Sequence, residues 1–129
     1  MSETWKCTPF QGNCYSVSET AGSYDQAERE CTERGGILAV ITDQLTQDFF
    51  IQLLSVSSKD TWIGLADEHF RGEWQWSDGM FLSSSTYTSW AYGEPNDSGN
   101  CTHLWPAGGF NWDDQPCHKS AYHICQFMF

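Results

Sequence analysis

The sequence of 129 residues has few positive charges: six lysines and arginines stand against seventeen aspartates and glutamates, for a formal net charge of −11. Such a surface repels phosphate backbones and anionic lipid headgroups, which argues against nucleic acids and membrane surfaces as partners. The chain also lacks an apolar run of the roughly 20 residues that cross a bilayer. We therefore predict no nucleic-acid partner and no membrane span.

A charged and then apolar leader is absent before Trp5, and so is any Cys-x-x-Cys pair. The six cysteines are too scattered for a zinc finger or ribbon, and in a short chain they are typical of an oxidised, extracellular disulfide framework. We expect a secreted or extracellular protein whose leader is not present in this chain. Spacing alone leaves every pairing of the six open.

Large rings are abundant, with 16% aromatic residues and seven tryptophans. No repeat, low-complexity tract or linker interrupts the sequence, so a single domain is predicted over residues 1–129. Residues 7–17 are predicted to form a hairpin bounded by cysteines. Residues 23–36 then carry a helix pattern, with Ser23 and Gln26 as a capping box and paired glycines at the end. Three residues share the predicted buried face: Tyr24, Ala27 and Cys31.

A second helix is predicted for residues 42–56, with Thr42 as its cap. Its apolar stripe, predicted to pack in the core, is Leu45, Phe49, Leu53 and Val56. After Lys59 the pattern changes to short segments rich in aromatic and β-branched residues, which predicts strands. These segments are TWIGLA, EWQWS, THLW, FNWDD and AYHICQF. The long region between Gly79 and Trp105 is predicted to be mostly without regular structure, and a loop of that length is either functional or evidence against the assignment.

Oxygen-bearing side chains gather in two short segments of this second half: Glu94, Asn96, Asp97, Asn100, Asp113 and Asp114. Ca²⁺ takes about six to eight such oxygens in flexible geometry, whereas Mg²⁺ requires a stricter octahedron. A cis bond before Pro95 would turn the two flanking side chains the same way. Neighbouring carboxylates repel each other without a cation, but Asp and Asn also cap solvated turns. The pattern alone leaves both interpretations open.

The chain resembles a C-type lectin domain over nearly its full length. The segments that carry the resemblance are WIGLAD at 62–67, EWQWSDG at 73–79, EPN at 94–96, NWDDQPC at 111–117 and HICQ at 123–126. The resemblance implies an α+β fold with two helices, two small antiparallel sheets and a long calcium-binding loop. It also implies three disulfides: Cys7–Cys14, Cys31–Cys125 and Cys101–Cys117.

By the same resemblance, one calcium ion is held by Glu94, Asn96, Asp113 and Asp114, with the backbone carbonyl of Asp114 as a further ligand. In sugar-binding members this ion and its ligands contact two neighbouring hydroxyls of a pyranose. The order EPN implies vicinal equatorial hydroxyls, as in mannose, glucose, GlcNAc or fucose. The implied function is calcium-dependent binding of mannose-type glycans on microbial or glycoprotein surfaces in innate immune recognition, with an oligomer possible because one shallow site binds weakly.

The chain departs from the family pattern at two positions of this site. Gly99 stands where the family usually has a ligand glutamate, so Asp97, Asn100 or water would substitute. Asp113 stands where the family commonly has asparagine, so one carboxylate is lost and one is gained. We expect calcium binding to survive with rearranged ligands. A soft metal at the altered site stays an open alternative.

The auxiliary calcium site of the family pairs an aspartate with an acid four residues later. Asp67 matches the aspartate, but Arg71 replaces the acid, so this site is expected to be absent or weak. Two glycosylation sequons, at Asn96 and Asn100, are expected to be unmodified because the loop is constrained. No metal-ligand spacing relates the histidines, which are predicted to be strand or loop residues: His69, His103, His118 and His123. Trp105 and Phe110 are predicted to be anchors rather than sugar-stacking rings.

Two other functions are alternatives to the calcium lectin. A lectin-like domain could recognise protein or ice without calcium-dependent sugar binding, which the missing glutamate favours. A glycoside hydrolase is disfavoured, because it needs one carboxylic acid with a raised pKa and carboxylates gathered on a cation stay ionised. The chain is therefore predicted not to be an enzyme.

Overall fold

The computed structural model describes residues 7–56, 58–68, 72–84 and 87–128. Within them lie two helices, α1 (Tyr24–Glu33) and α2 (Gln44–Leu54), neither of which has the length and apolarity to cross a membrane. The strands are β1 (Thr8–Phe10), β2 (Asn13–Val17), β3 (Ile37–Leu38), β4 (Thr61–Ala66), β5 (Gln75–Trp76), β6 (Cys101–Trp105), β7 (Asn111–Gln115) and β8 (Tyr122–Met128). Short 3-10 turns occupy Leu82–Ser84 and Pro106–Gly108.

The strands form two antiparallel groups, as the α+β prediction requires, but the groups are joined. The order is β1-β2-β8-β4-β6-β7, with β3 on β8 and β5 on β4. The junction is a short parallel pairing of β4 with β8, in which Thr61 and Trp62 lie opposite Tyr122 and His123. The half of the sheet that contains β6 and β7 is thereby fixed to the strands that carry α1.

Helix α1 is organised as the sequence predicts. The hydroxyl of Ser23 accepts from the backbone N–H of Gln26, and the Gln26 side chain accepts from the backbone N–H of Ser23. This capping box satisfies two donors that have no partner inside the helix. The predicted inward face, Tyr24, Ala27 and Cys31, is buried. Gly35, with a φ of +87°, follows the helix in the left-handed conformation that favours glycine.

Helix α2 exists, but its predicted cap and stripe are wrong. Asp43 rather than Thr42 is the cap, and its Oδ1 accepts from the backbone N–H of Thr46 at 2.9 Å. Of the predicted stripe, Leu45 is 61% exposed and Val56 94% exposed, while Phe49 and Leu53 are half-buried at the edge of the core. The residues that α2 buries are Thr46, Gln47, Phe50 and Leu54.

The side chain of Gln47 explains why α2 buries a different face from the predicted one. Its side-chain amide donates to the carbonyl of Phe110 at 2.8 Å, and its carbonyl accepts from the indole N–H of Trp112 at 3.0 Å. A polar side chain with two buried partners stays inside because leaving either partner unpaired costs free energy. An apolar pattern that treats glutamine as exposed therefore assigns the wrong face.

Trp112 is the centre of the aromatic core under β7. Its side chain is fully buried, and its ring meets those of Trp76 and Trp90 edge-on, with centroids 5.4 and 5.5 Å away. Edge-on aromatic pairs stabilise a core beyond their buried area. Since Asp113 and Asp114 follow directly, this packing fixes the backbone from which both carboxylates project.

The structure pairs all six cysteines in three disulfides, with the partners that the resemblance implies. Cys31–Cys125 joins α1 to β8, and Cys7–Cys14 closes the first hairpin. Cys101–Cys117 joins the start of β6 to the turn after β7. This last bond encloses the two strands that border the long loop, and so limits their separation in the unfolded chain.

Replacing Gln47 with leucine should lower the free energy of unfolding by about 2–4 kcal/mol, because Trp112 Nε1 and the Phe110 carbonyl would both lose a buried partner. Urea denaturation followed by tryptophan fluorescence measures this. Gln52→Leu, at an exposed position on the same helix, is the control and should change stability by less than about 0.5 kcal/mol. An equal effect of both changes would contradict the role given to Gln47.

Candidate calcium and carbohydrate site

Three carboxylates meet at one point of the surface. Glu94, Asp113 and Asp114 each present an oxygen, and these oxygens lie within 4.8 Å of one another. Asp113 and Asp114 come from β7. Glu94 ends a tight turn, in which its N–H donates to the carbonyl of Ala91 at 2.9 Å. The turn therefore brings a loop carboxylate to the strand that Trp112 anchors.

Asn96 connects the loop to the strand. Its backbone N–H lies 3.1 Å from Glu94 Oε1 and 3.0 Å from Asp114 Oδ1, and its side-chain amide donates to Glu94 Oε2 at 3.2 Å. The Glu94–Pro95 bond is cis. All four side chains that the resemblance assigns to the principal site are thus neighbours in the structure.

Asp114 is fully buried and receives backbone donors on both oxygens. Oδ1 accepts from Asn96 N–H, and Oδ2 accepts from Gly99 N–H at 3.2 Å. Its backbone carbonyl, implied as a further ligand, accepts from the hydroxyl of Ser98 at 2.8 Å. Asp114 therefore organises the loop as well as supplying charge to the cluster.

The electrostatics of the cluster favour a bound cation. The pKa of Glu94 is raised to about 7, by loss of solvent and then by the adjacent Asp114 and Asp113 carboxyl groups. For Asp114, burial opposes ionisation, but Glu94 and the backbone N–H groups of Asn96 and Gly99 prevail and lower its pKa. The repulsion within the cluster thus favours protonation of Glu94 near neutral pH. A divalent cation would relieve the same repulsion, and an all-oxygen donor set suits Ca²⁺.

Neither predicted substitute ligand joins the three carboxylates. The Asn100 side-chain amide instead donates to Asp67 Oδ1 at 2.9 Å. Asp97 lies outside the cluster and, with Asp67, Trp74 and Pro95, lines an open cleft of about 450 Å³. The loop acids and amides therefore divide between two neighbouring locations.

Gly99 leaves no room for the glutamate that the family usually has there. A Cβ atom at this position would collide with the carbonyl group of Gln115 and the nitrogen of Pro116. The obstacle is backbone, which cannot turn aside as the end of a side chain can. The close approach of loop and strand thus excludes a side chain at position 99 unless the backbone moves.

At the auxiliary position, the Asp67 side chain is buried and hydrogen-bonded within the protein. Its Oδ1 accepts from Asn100, and its Oδ2 accepts from the backbone N–H of Gly72 at 3.0 Å. Arg71, which would replace the second acid of this site, lies outside the described residues, as does His69. The absence or weakness of an auxiliary ion stays a prediction.

His103 is a residue of the site that sequence reasoning missed. It is 1% exposed, and its Nε2 lies 3.1 Å from Asp113 Oδ2. The same oxygen accepts from the side-chain amide of Gln115 at 2.6 Å. Burial lowers the pKa of His103, against the opposing influence of Asp113 and Asp60, which favours the neutral imidazole. The contact depends on the antiparallel register of β6 and β7, which places His103 opposite Asp113 and which the sequence does not show.

The remaining histidines and aromatic residues of the sequence analysis lie outside the carboxylate cluster. His123 is buried with its Nε2 3.0 Å from Glu30 Oε1, and His118 lies exposed in a turn. Phe110 packs against the core at the end of the β6–β7 hairpin. Trp105, 37% exposed, lies in β6 at the same hairpin end.

Comparisons with known proteins indicate one protein family. The family model described as the lectin C-type domain matches residues 20–127. The C-type lectin domain family 4 member M of Nomascus concolor is 40% identical over 121 residues, which are 92% of this chain and 30% of that protein. The chain thus spans less than a third of that relative's length.

Two solved structures illustrate the range of similar proteins. The cow C-type carbohydrate-recognition domain of CD23, determined in the presence of a GlcNAc2Man3 oligosaccharide, has a TM-score of 0.86 and 30% identity, with 99% of this chain and 97% of that one covered. A calcium-independent type II antifreeze protein has a TM-score of 0.83 and 31% identity, with 95% and 91% covered. The same fold thus occurs in proteins described with a glycan and in one described as independent of calcium.

Replacing Gly99 with alanine should lower the free energy of unfolding by about 2–3 kcal/mol, because overpacking against fixed backbone is costly. Thermal and urea denaturation in EDTA measure this without interference from calcium. Gly79→Ala is the matched control: Gly79 has a φ of +94° and open space around it, so only the conformational cost of about 1 kcal/mol applies. A tolerated alanine at position 99 would show that the loop can move aside.

Proposed function

The chain belongs to the C-type lectin domain family, and from this premise we propose that it binds mannose-type glycans through one calcium ion held by Glu94, Asn96, Asp113 and Asp114. The observation that carries the proposal is the convergence of three carboxylate oxygens within 4.8 Å beside the amide of Asn96. A cluster of this charge, in a chain that is already acidic, is more stable with a divalent cation bound.

The side chains of the cluster supply the groups that a sugar diol requires. A carboxylate accepts a hydrogen bond from a hydroxyl, and the Asn96 amide donates one to the same kind of group. Hydrogen bonds to ionised groups are the stronger class. A calcium ion, when bound, would take lone pairs of two adjacent hydroxyls. The order Glu94-Pro95-Asn96 supports vicinal equatorial hydroxyls, as in mannose, glucose, GlcNAc and fucose.

The site serves binding rather than catalysis, in keeping with a family that is not enzymatic. A single shallow site that recognises two hydroxyls has low affinity for one sugar, and useful strength comes from several sites on a densely glycosylated surface. We propose that the protein is secreted or extracellular, since three disulfides are typical of an oxidising environment. Its proposed ligands are glycans of microbial or glycoprotein surfaces, in innate immune recognition.

One observation favours a second function. Position 99 cannot hold the usual glutamate, and a calcium-independent antifreeze protein shares the fold at 31% identity. The alternative is a lectin-like domain that recognises a protein or another ligand without calcium. Calcium dependence of ligand binding separates the two functions.

Retention on immobilised mannan should require calcium and be reversed by EDTA, with a galactose polymer as the control matrix. Asp114→Asn should abolish retention, because it removes charge from the cation site and weakens the acceptors that hold the loop. Asp97→Asn, in the same loop but outside the cluster, should be retained like the unchanged protein. Retention that EDTA does not affect would favour the calcium-independent function.

Calcium titration by isothermal calorimetry should give one ion per chain. Asp113→Asn should weaken the affinity at least about tenfold, since it removes the carboxylate that replaces the missing glutamate. Asp67→Asn should leave stoichiometry and affinity unchanged, because both Asp67 oxygens already accept hydrogen bonds from the protein. Two ions per chain in the unchanged protein, reduced to one by Asp67→Asn, would show a working auxiliary site.

A further inference from the structure

A buried histidine lies directly behind one of the proposed calcium ligands. His103 in β6 and Asp113 in β7 occupy opposite positions of the antiparallel pair. The distance from His103 Nε2 to Asp113 Oδ2 is 3.1 Å, and the Gln115 amide donates to the same oxygen at 2.6 Å. One oxygen of the Asp113 carboxylate is therefore shared by two nitrogen donors.

The direction of the histidine hydrogen bond follows from its partner. An ionised carboxylate can only accept, so the proton of the bond lies on Nε2 of His103. On the other side of the ring, Nδ1 lies 3.5 Å from Asp60 Oδ1, and Asp60 in turn binds the Lys119 ammonium at 3.0 Å. Nδ1 makes no hydrogen bond within the described residues, so the buried imidazole is held by its bond to Asp113.

We propose that His103 is a positioning residue for the calcium site: together with Gln115 it holds Oδ2 of Asp113, so that Asp113 offers the cation a single oxygen. This inference rests on the proposed function. An asparagine, which the family commonly has at this position, also offers a metal one side-chain oxygen. With Oδ2 committed to two donors, the aspartate reproduces that geometry while adding a negative charge.

The two donors also stabilise the buried carboxylate of Asp113. The residue is only 7% exposed, and a buried carboxylate without hydrogen bonds is strongly disfavoured. If His103 were apolar, the carboxylate would lose one of its two donors and could rotate away from the orientation that faces Glu94 and Asp114. Loss of a donor that orients a metal ligand typically lowers metal affinity by about 10–100-fold.

A double-mutant cycle tests the inference. Calcium affinity is measured by calorimetry for the unchanged protein, His103→Leu, Asp113→Asn and the double variant. The expected result is that His103→Leu weakens calcium binding at least about tenfold when Asp113 is present, and less than about twofold when asparagine replaces it. His103→Gln, which keeps a donor near the Nε2 position, should restore most of the affinity.

Two measurements on the calcium-free protein separate positioning from a general loss of structure. Nitrogen-15 NMR of the imidazole in EDTA should show the proton on Nε2, and the Nε2 resonance should shift in Asp113→Asn. Urea denaturation in EDTA measures the cost of His103→Leu to the fold. If the histidine acts through Asp113, His103→Leu should lower the free energy of unfolding more with aspartate at position 113 than with asparagine. Equal costs in the two backgrounds would contradict the positioning role.

The outcomes distinguish the inference from the proposed function. Normal calcium binding by the unchanged protein, with equal losses from His103→Leu in both backgrounds or no rescue by His103→Gln, would overturn the positioning role alone. Failure of the unchanged protein to bind calcium would overturn the proposed function, and the positioning role with it. Coupled losses with rescue by glutamine would establish the positioning role and the calcium site on which it acts.

Discussion

The hydrogen bond between the Trp112 indole and the Gln47 side chain fixes the strand on which the rest of the site depends. Gln47 also donates to the carbonyl of Phe110, so one helix residue holds both β7 and the residue just before it. Trp112 is fully buried among other rings, which prevents the strand from rotating. The next two residues, Asp113 and Asp114, therefore project from a backbone with little freedom, as a metal site requires of its ligands.

The two aspartates are stabilised by different kinds of donor. Asp114 accepts from backbone N–H groups of the loop, whereas Asp113 Oδ2 accepts from the side chains of His103 and Gln115. Each arrangement gives a buried carboxyl group hydrogen-bond donors, and the pKa of Glu94 rises to about 7 through loss of solvent and through the adjacent Asp114 and Asp113. The protein thus gathers acidic side chains around neutral hydrogen-bond donors of its own. A calcium ion would supply the balancing positive charge.

Local signals predicted the first helix and the strands other than β3, because capping boxes and alternating aromatic segments act over a few residues. The α2 face was misassigned, since Gln47 is buried through partners about 63 and 65 positions away that no local pattern shows. The resemblance to C-type lectin domains indicated which four side chains would meet at the site. His103 and the tight contact at Gly99 could not be predicted, because both depend on the register and close approach of segments around β7.

Gln115 contacts both positions at which the chain departs from the family pattern, Gly99 and Asp113. The backbone of Gln115 occupies the space that a side chain at position 99 would need, and the side chain of Gln115 donates to the carboxylate of Asp113. The lost glutamate and the gained aspartate are therefore parts of one local arrangement. The close packing excludes a side chain at position 99, so the charge of the usual glutamate cannot be placed there. Asp113 supplies that charge where His103 and Gln115 already provide donors to hold it.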